Sequence, residues 1–132
     1  MAFVIRMGLP EMEEYWEDLR SRYKNDSLSK NELKTFKKLL KALHHLSVNP
    51  YHSGLNSHEI DELSFRLSRI IGKKIKVFQS YLENNTPAAG RLYWCYAPQK
   101  NHITVIGIEP HPEDRKRGGY AKVSLSTLPP VQ

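Results

Sequence analysis

The sequence predicts an α+β fold, with an N-terminal strand and two helices packed on a mainly antiparallel sheet of four to five strands. Two helical stripes occupy the first part of the chain, within residues 10–47. Two apolar runs, 91–98 and 102–112, are joined by the polar stretch 99–101, and neither is long enough for a typical helix. The length of 132 residues suits one domain with one core, spanning 1–132.

The first elements are a strand and a helix. Phe3 to Met7 is a short apolar run, typical of an edge strand, and Gly8-Leu9-Pro10 ends it. Pro10 suits the first turn of a helix that runs to about Lys24, and the glutamates after it favour the positive end of the helix dipole. The apolar positions follow at helical spacing: Met12, Tyr15, Trp16, Leu19 and Tyr23.

A second helix is predicted from Ser29 to about Ser47. Ser29 and Glu32 have the spacing of a capping box, and Asn49-Pro50 ends the helix. Its lysines lie on a different face from its leucines, which is typical of a solvated helix surface, although a nucleic-acid-binding stripe is the alternative.

The next segment predicts a short helix and a strand. Apolar residues within 58–71 fit a helical stripe that Gly72 ends, and Lys73 to Leu82 reads as a strand. Near the C-terminus, the alternation in Tyr120 to Leu125 predicts a last strand.

The two apolar runs predict a β-hairpin at the centre of the sheet. Apolar residues point to both faces of the first run: Leu92, Trp94 and Tyr96 to one, and Tyr93 and Cys95 to the other. A strand that is apolar on both faces is covered on both faces. Since antiparallel strands place the start of one beside the end of the next, Arg91 and His111 are expected to meet at one end of the sheet.

Composition excludes several classes of protein. Cys95 is the only cysteine, so there is no internal disulfide and no multi-cysteine zinc site, and its apolar strand favours a buried hydrophobe over a nucleophile. No apolar run approaches the length of a membrane span, and the start does not resemble a signal peptide. We therefore expect a cytoplasmic protein without a membrane partner.

The net charge of +6 is unevenly distributed. Residues 11–18 hold five carboxylates and no base, whereas residues 66–122 hold eleven Lys and Arg and four acidic residues. A basic sheet half favours a polyanion such as nucleic acid, or an acidic protein partner.

Three short motifs give the chain a family resemblance. They are Gln79-Ser-Tyr-Leu, Ala89-Gly-Arg-Leu-Tyr-Trp, and Ile108-Glu-Pro-His-Pro-Glu-Asp114. With the predicted order of elements, they make nearly the whole chain resemble the RelE/ParE toxin superfamily of bacterial type II toxin–antitoxin (plasmid stabilisation) systems. RelE-like members cleave mRNA, usually on the ribosome, without a metal, and an antitoxin neutralises them; ParE-like members poison DNA gyrase. The expected partners are therefore an antitoxin, mRNA and the ribosome, and no cofactor is expected.

The resemblance implies which residues form the site. Arg91 matches the family arginine that binds the scissile phosphate, and His111 matches a histidine or arginine near the end of the next strand. Tyr120 matches a C-terminal tyrosine. Glu109 and Glu113 are carboxylates near His111 in the sequence, and either can orient it or act as a base. Phosphate or RNA contacts are expected from Lys74, Lys76, Tyr81, Arg115 and Lys116. The long 51–72 segment and the two prolines that flank His111 depart from the family pattern.

Metal-free RNA cleavage needs a base for the 2′-hydroxyl, a cation for the phosphorane and an acid for the leaving 5′-oxygen. The guanidinium of Arg91 suits phosphate oxygens, and His111 titrates near neutrality. Two simpler readings stay open: Arg91 as a surface residue at a strand end, and His111 as a turn cap or a metal ligand together with Glu109. The alternative function is a non-enzymatic one, either a ParE-like gyrase inhibitor or a degenerate toxin that only binds its antitoxin.

Overall fold

The computed structural model describes residues 2–82, 90–109 and 119–131. Within these ranges it contains three helices and five strands. In chain order they are β1 (Val4–Met7), α1 (Glu11–Lys24), α2 (Lys30–Val48), β2 (His58–Glu59), α3 (Asp61–Ile71), β3 (Phe78–Tyr81), β4 (Arg91–Cys95) and β5 (His102–Glu109), followed by a 3-10 helix at Gly119–Lys122. The predicted α+β class is confirmed.

The five strands form one sheet in the order β1-β5-β4-β3-β2. Strands β2 to β5 pair antiparallel, and β1 lies parallel to β5 at the edge, so the sheet is mixed. The predicted central hairpin is confirmed, since β4 and β5 are neighbours and β4 is the middle strand.

The first two helices begin and end close to where the sequence places them. Pro10 is the N-cap residue of α1, and carboxylates occupy its first turn. At the start of α2 the capping box is complete, because the Ser29 hydroxyl accepts from the Glu32 N–H and the Glu32 carboxylate accepts from the Ser29 N–H. The backbone N–H groups of Ser29 and Glu32, which have no carbonyl partner within the helix, thereby each gain a hydrogen bond.

The third helix covers the opposite face of the sheet. The predicted helix within 58–71 is confirmed, and Gly72 ends it in the left-handed region at φ 87°, where glycine has no steric penalty. The short strand β2 that precedes it has no signal in the sequence. The sheet therefore carries α1 and α2 on one face and α3 on the other, whereas the predicted fold packs only two helices on the sheet.

Two clusters of buried side chains lie on the two faces of the sheet. The first cluster joins α1 and α2 to Leu92, Trp94 and Val105, and the second joins α3 to Tyr93, Cys95 and Ile106. Every residue of β4 is buried. The expectation that this strand is covered on both faces is confirmed, and β4 is the centre of the core.

The predicted strand at 73–82 is shorter than expected because side chains replace part of the ladder. The Ser68 hydroxyl accepts from the Ile75 N–H and donates to the Ile75 carbonyl, and the Ser64 hydroxyl accepts from the Val77 N–H. These hydroxyls of α3 satisfy the backbone groups that a neighbouring strand would satisfy. Strand pairing therefore begins only at Phe78.

The predicted last strand at 120–125 is wrong. Residues 119–122 form a 3-10 helix, and the chain then passes over the sheet, where the Ser126 N–H donates to the Ile106 carbonyl. Gly107 permits this close approach, since a Cβ there would lie 2.9 Å from the Ser124 carbonyl oxygen. The alternation of apolar residues in this segment reflects packing against the sheet, and the segment does not form a strand of it.

The capping box predicts a pH-dependent contribution to stability. Hydrogen bonds from Arg22, together with the Ser29 N–H, lower the pKa of Glu32 from 4.5 to about 2. A carboxyl whose pKa falls on folding stabilises the fold above its unfolded pKa and loses that effect as the pH falls through the folded one. The free energy of unfolding of Glu32→Gln should therefore fall below that of the wild type above pH 4.5, and the difference should vanish towards pH 2.

Urea denaturation at several pH values measures this difference. The matched variant is Ser29→Ala, which removes a hydroxyl that does not titrate and should cost about 1 kcal/mol across the range. A Glu32→Gln difference that stays constant from pH 7 to pH 2 would contradict the assignment.

Candidate functional site

Three side chains form a row across one end of the sheet. Arg91, the first residue of β4, is the register partner of Tyr81 on β3 and of Glu109 on β5. Residues directly opposite one another in antiparallel strands share a face and lie within side-chain contact. The three groups therefore meet on the face that α3 covers, and we call them the Arg91 row.

A cation–π contact joins the first two members of the row. The Arg91 guanidinium carbon lies 4.0 Å from the centre of the Tyr81 ring. Arg91 is only 7% exposed and Glu109 only 6%. In such a poorly hydrated place, stacking on an aromatic ring partly replaces the lost hydration of a cation. The contact also orients the guanidinium plane at the end of β4.

An irregularity in β5 puts Glu109 on this face. Trp94 pairs with Val105, but the preceding residue Tyr93 pairs with Gly107, so Ile106 is the extra residue of a β-bulge. A bulge reverses the alternation of side chains beyond it. Val105 and Ile108 therefore both contact the cluster below α1 and α2. Glu109, one residue further, turns towards α3.

Tyr93 holds the carboxylate of the row. Its hydroxyl donates to Glu109 Oε1 over 2.6 Å, and the Tyr93 side chain is fully buried. A short hydrogen bond to a carboxylate, made inside the protein, fixes the position of the acceptor more firmly than an exposed one. Tyr93 stands two residues after Arg91 on β4, so one strand positions both the cation and the donor to the carboxylate.

Tyr120 lies over Tyr93 on the same face. The two rings meet edge to face with centres 6.3 Å apart, and the Tyr120 hydroxyl donates to Gln79 Oε1 over 3.0 Å. The Gln79 amide nitrogen lies 3.4 Å from His58 Nε2. Arg66 on α3 donates to the Tyr120 carbonyl over 3.0 Å, which ties the 3-10 helix to α3. The structure thus brings Tyr120 to the face of Arg91, with its hydroxyl bound to Gln79.

The structure does not bring Lys74 and Lys76 to the Arg91 row. Both are exposed in the extended stretch before β3, and both line a groove against α3. Lys76 precedes Tyr81 by five residues, which is about 16 Å of extended chain. These lysines are too far from Arg91 to hold the same phosphate oxygens.

Four of the predicted site residues lie outside the described residues. They are His111, Glu113, Arg115 and Lys116. The expected meeting of Arg91 with His111 is therefore a prediction that rests on the resemblance and on the direction of β5.

Sequence reasoning missed the groups that build this face. Tyr93, Gln79 and Arg66 were not among the predicted site residues, although each binds a member of the face through a side-chain hydrogen bond. A signal was present for two of them. Tyr93 stands two residues after Arg91 in a strand, and Gln79 is a polar residue that shares one face of the predicted strand with Val77 and Tyr81.

Cys95 is a buried thiol at the end of β4. Burial raises the pKa of the Cys95 thiol to about 12, so the thiolate that a nucleophile requires is scarce at neutral pH. Among the residues that the structure describes, no three His, Cys, Asp or Glu side chains are grouped as metal ligands.

No protein-family model, curated protein or solved structure matches this chain. Helices long and apolar enough to cross a bilayer are absent from the described ranges. A cation stacked on a ring beside a positioned carboxylate is an arrangement that suits phosphate binding and proton transfer.

The Tyr93–Glu109 hydrogen bond predicts that changes at these two residues have coupled effects on the free energy of unfolding. Tyr93→Phe removes the donor but keeps the ring, and it should lower the free energy of unfolding by about 1–3 kcal/mol because the buried carboxylate loses this hydrogen bond. Combined with Glu109→Gln in a double-mutant cycle, the two changes should couple by about 1 kcal/mol or more.

Urea denaturation of the four proteins measures the coupling. The matched control is Tyr23→Phe, which removes the hydroxyl of a half-exposed tyrosine whose ring packs on Phe36. If Tyr93→Phe were as stable as Tyr23→Phe, and independent of Glu109→Gln, the hydrogen bond would have no part in holding the row.

Proposed function

We propose that the chain is a RelE-like toxin that cleaves mRNA on the ribosome without a metal and is neutralised by an antitoxin. The Arg91 row is the observation that supports this proposal. It combines a permanently charged guanidinium with a carboxylate held by a hydrogen bond, at one end of a rigid sheet. The sequence resemblance supplies the choice of RNA as the substrate.

In the proposed reaction a base removes the proton of the 2′-hydroxyl. The 2′-oxygen forms a bond to the adjacent phosphorus, and the bond to the 5′-oxygen breaks. The products are a 2′,3′-cyclic phosphate and a 5′-hydroxyl, once an acid has given the leaving oxygen a proton. The guanidinium of Arg91 neutralises the charge that develops on the phosphate oxygens.

Glu109 is our candidate for the base. Its carboxylate is the register partner of Arg91, and the hydrogen bond from the Tyr93 hydroxyl to Oε1 holds it in position. The role of acid falls to His111 by the resemblance. Tyr120, whose hydroxyl donates to Gln79, acts in this scheme by holding the face together rather than by proton transfer.

The burial of the row favours a second candidate function. At 7% exposure, Arg91 offers little surface to a phosphate. A non-enzymatic binder, either a gyrase inhibitor or a degenerate toxin, needs no accessible guanidinium, and the row would then serve only the fold. The two functions differ in whether RNA is cut and in whether the cut depends on Arg91.

Induced expression with mapping of mRNA 5′ ends distinguishes these functions. The wild type should arrest growth and produce new 5′-hydroxyl ends, and Arg91→Ala should reduce cleavage by about a hundredfold or more. Arg91→Lys keeps the charge but loses the paired N–H donors, so it should recover only part of the activity. His111→Ala tests the expected acid.

The matched control is Arg20→Ala, which removes an exposed arginine of α1 that pairs with Glu17. It should cleave as the wild type does, and a thermal melt of each variant separates lost chemistry from lost fold. Growth arrest with intact mRNA would favour the binder, and full cleavage by a folded Arg91→Ala would place the active site elsewhere.

A further inference from the structure

The outer face of α3 exposes large apolar side chains. Phe65 is 66% exposed and Ile70 is 54% exposed, while the inner face of the same helix is buried through Leu63 and Leu67. Phe65 and Ile70 line the same groove, and exposed apolar side chains that are grouped in this way mark an interaction surface. The proposed nuclease chemistry makes no use of this face.

Two grooves flank a ridge on this face. The ridge consists of Phe65 and Arg69, whose guanidinium carbon lies 5.7 Å from the ring centre. On one side is a groove of about 610 Å³, which Ile70, Arg66 and Ala121 help to line. On the other side is a groove of about 410 Å³. Both grooves include the ridge residues among their walls.

The charge around the ridge is mainly positive. Of the described residues that line the two grooves, five carry a positive charge and two a negative one: Arg66, Arg69, Lys73, Lys74 and Lys76, against Glu59 and Glu62. The apolar side chains lie at the ridge and in the first groove, and the lysines lie at the far side of the second. An apolar centre with a charged rim is the usual anatomy of a protein interface.

We propose that this face binds an acidic amphipathic helix of a partner protein. The face consists of the ridge of Phe65 and Arg69 with the groove on each side of it, and we call it the α3 ridge. A ridge of one helix fits the groove between the side-chain rows of another. Apolar residues at helical spacing would fill the two grooves, and carboxylates on the flanks would meet the five cations. Helix-in-groove binding of this kind reads apolar anchors at positions i, i+3, i+4 and i+7.

The apolar walls favour a protein segment over RNA. Ile70 and Ala121 give a nucleic acid neither a hydrogen bond nor a charge, whereas aliphatic anchors bury their area against such walls. The proposal goes beyond the proposed function, since it holds whether or not the chain cleaves RNA. The α3 ridge is also joined to the 3-10 helix that contains Tyr120, because Arg66 lines the first groove and donates to the Tyr120 carbonyl.

Fluorescence anisotropy with a designed peptide tests the proposal on the full chain. The probe is a fluorescein-labelled helical peptide of about 18 residues, or five turns, with leucines at i, i+3, i+4 and i+7, glutamates beside that stripe and alanines at the remaining positions. The wild type should bind it, and Phe65→Ser and Ile70→Ser should each raise the Kd about tenfold. Both positions are more than half exposed, so circular dichroism should show an unchanged fold.

Two matched controls make the result specific. Val48→Ser alters a residue of α2 that is 60% exposed and outside both grooves, and it should bind as the wild type does. A scrambled peptide of the same composition, without the helical spacing, should bind at least tenfold more weakly.

Four results would overturn the proposal. The first three are absence of peptide binding by the wild type, equal binding of the designed and scrambled peptides, and equal binding by the wild type and Phe65→Ser. A fourth is binding of a labelled single-stranded oligouridine that Phe65→Ser abolishes while the peptide does not bind, since this would make the surface one for nucleic acid.

Discussion

The extra residue in β5 determines which side chains can meet at the candidate site. If β5 paired with β4 without the bulge at Ile106, Glu109 would face α1 and α2, and Arg91 would face α3 alone. With the bulge, the cation and the carboxylate share a face, and Tyr93 reaches the carboxylate from the strand that carries the cation. Bulges are frequent next to functional sites because they re-aim a side chain in this way.

The bulge is held in place by the segment that crosses it. Ser126 donates its N–H to the Ile106 carbonyl, and Gly107 leaves room for the Ser124 carbonyl. The C-terminal segment therefore stabilises the register that the site requires. It also carries Tyr120, whose ring packs on Tyr93 and whose carbonyl binds Arg66. The sheet, the C-terminal segment and α3 are thus joined through a small number of polar contacts in a largely apolar layer.

Burying such groups costs stability, which sets the Arg91 row apart from the apolar residues around it. A charged side chain at 7% exposure loses most of its hydration, and an apolar residue at the start of β4 would pack without this penalty. Violations of the local rules of folding concentrate at functional sites. The Arg91 row is such a violation in a strand whose other four residues are Leu, Tyr, Trp and Cys.

Much of the fold could be predicted from the sequence, because its signals are local. The capping box at Ser29 and the Gly72 stop are chemical patterns that act within a few residues, and both helices begin or end where they indicate. The short β3 could not be predicted, since it depends on hydroxyls of α3 that satisfy the backbone of Ile75 and Val77. The 3-10 helix at Gly119 and the bulge at Ile106 depend in the same way on contacts between distant parts of the chain. For the site, the sequence places Arg91 and Tyr81 on one face through pairing of adjacent strands, whereas Glu109 reaches it only through the bulge.

In the proposed function, Arg91 binds an RNA phosphate on the face that it shares with Glu109. An NMR titration of the protein with a 2′-O-methyl oligoribonucleotide tests this contact, because the methyl group blocks the nucleophile and leaves the phosphates in place. We expect the Nε–Hε resonance of Arg91 to shift on binding, together with the backbone amides of Tyr93 and Glu109. Binding that shifts other resonances and leaves that of Arg91 unmoved would contradict it.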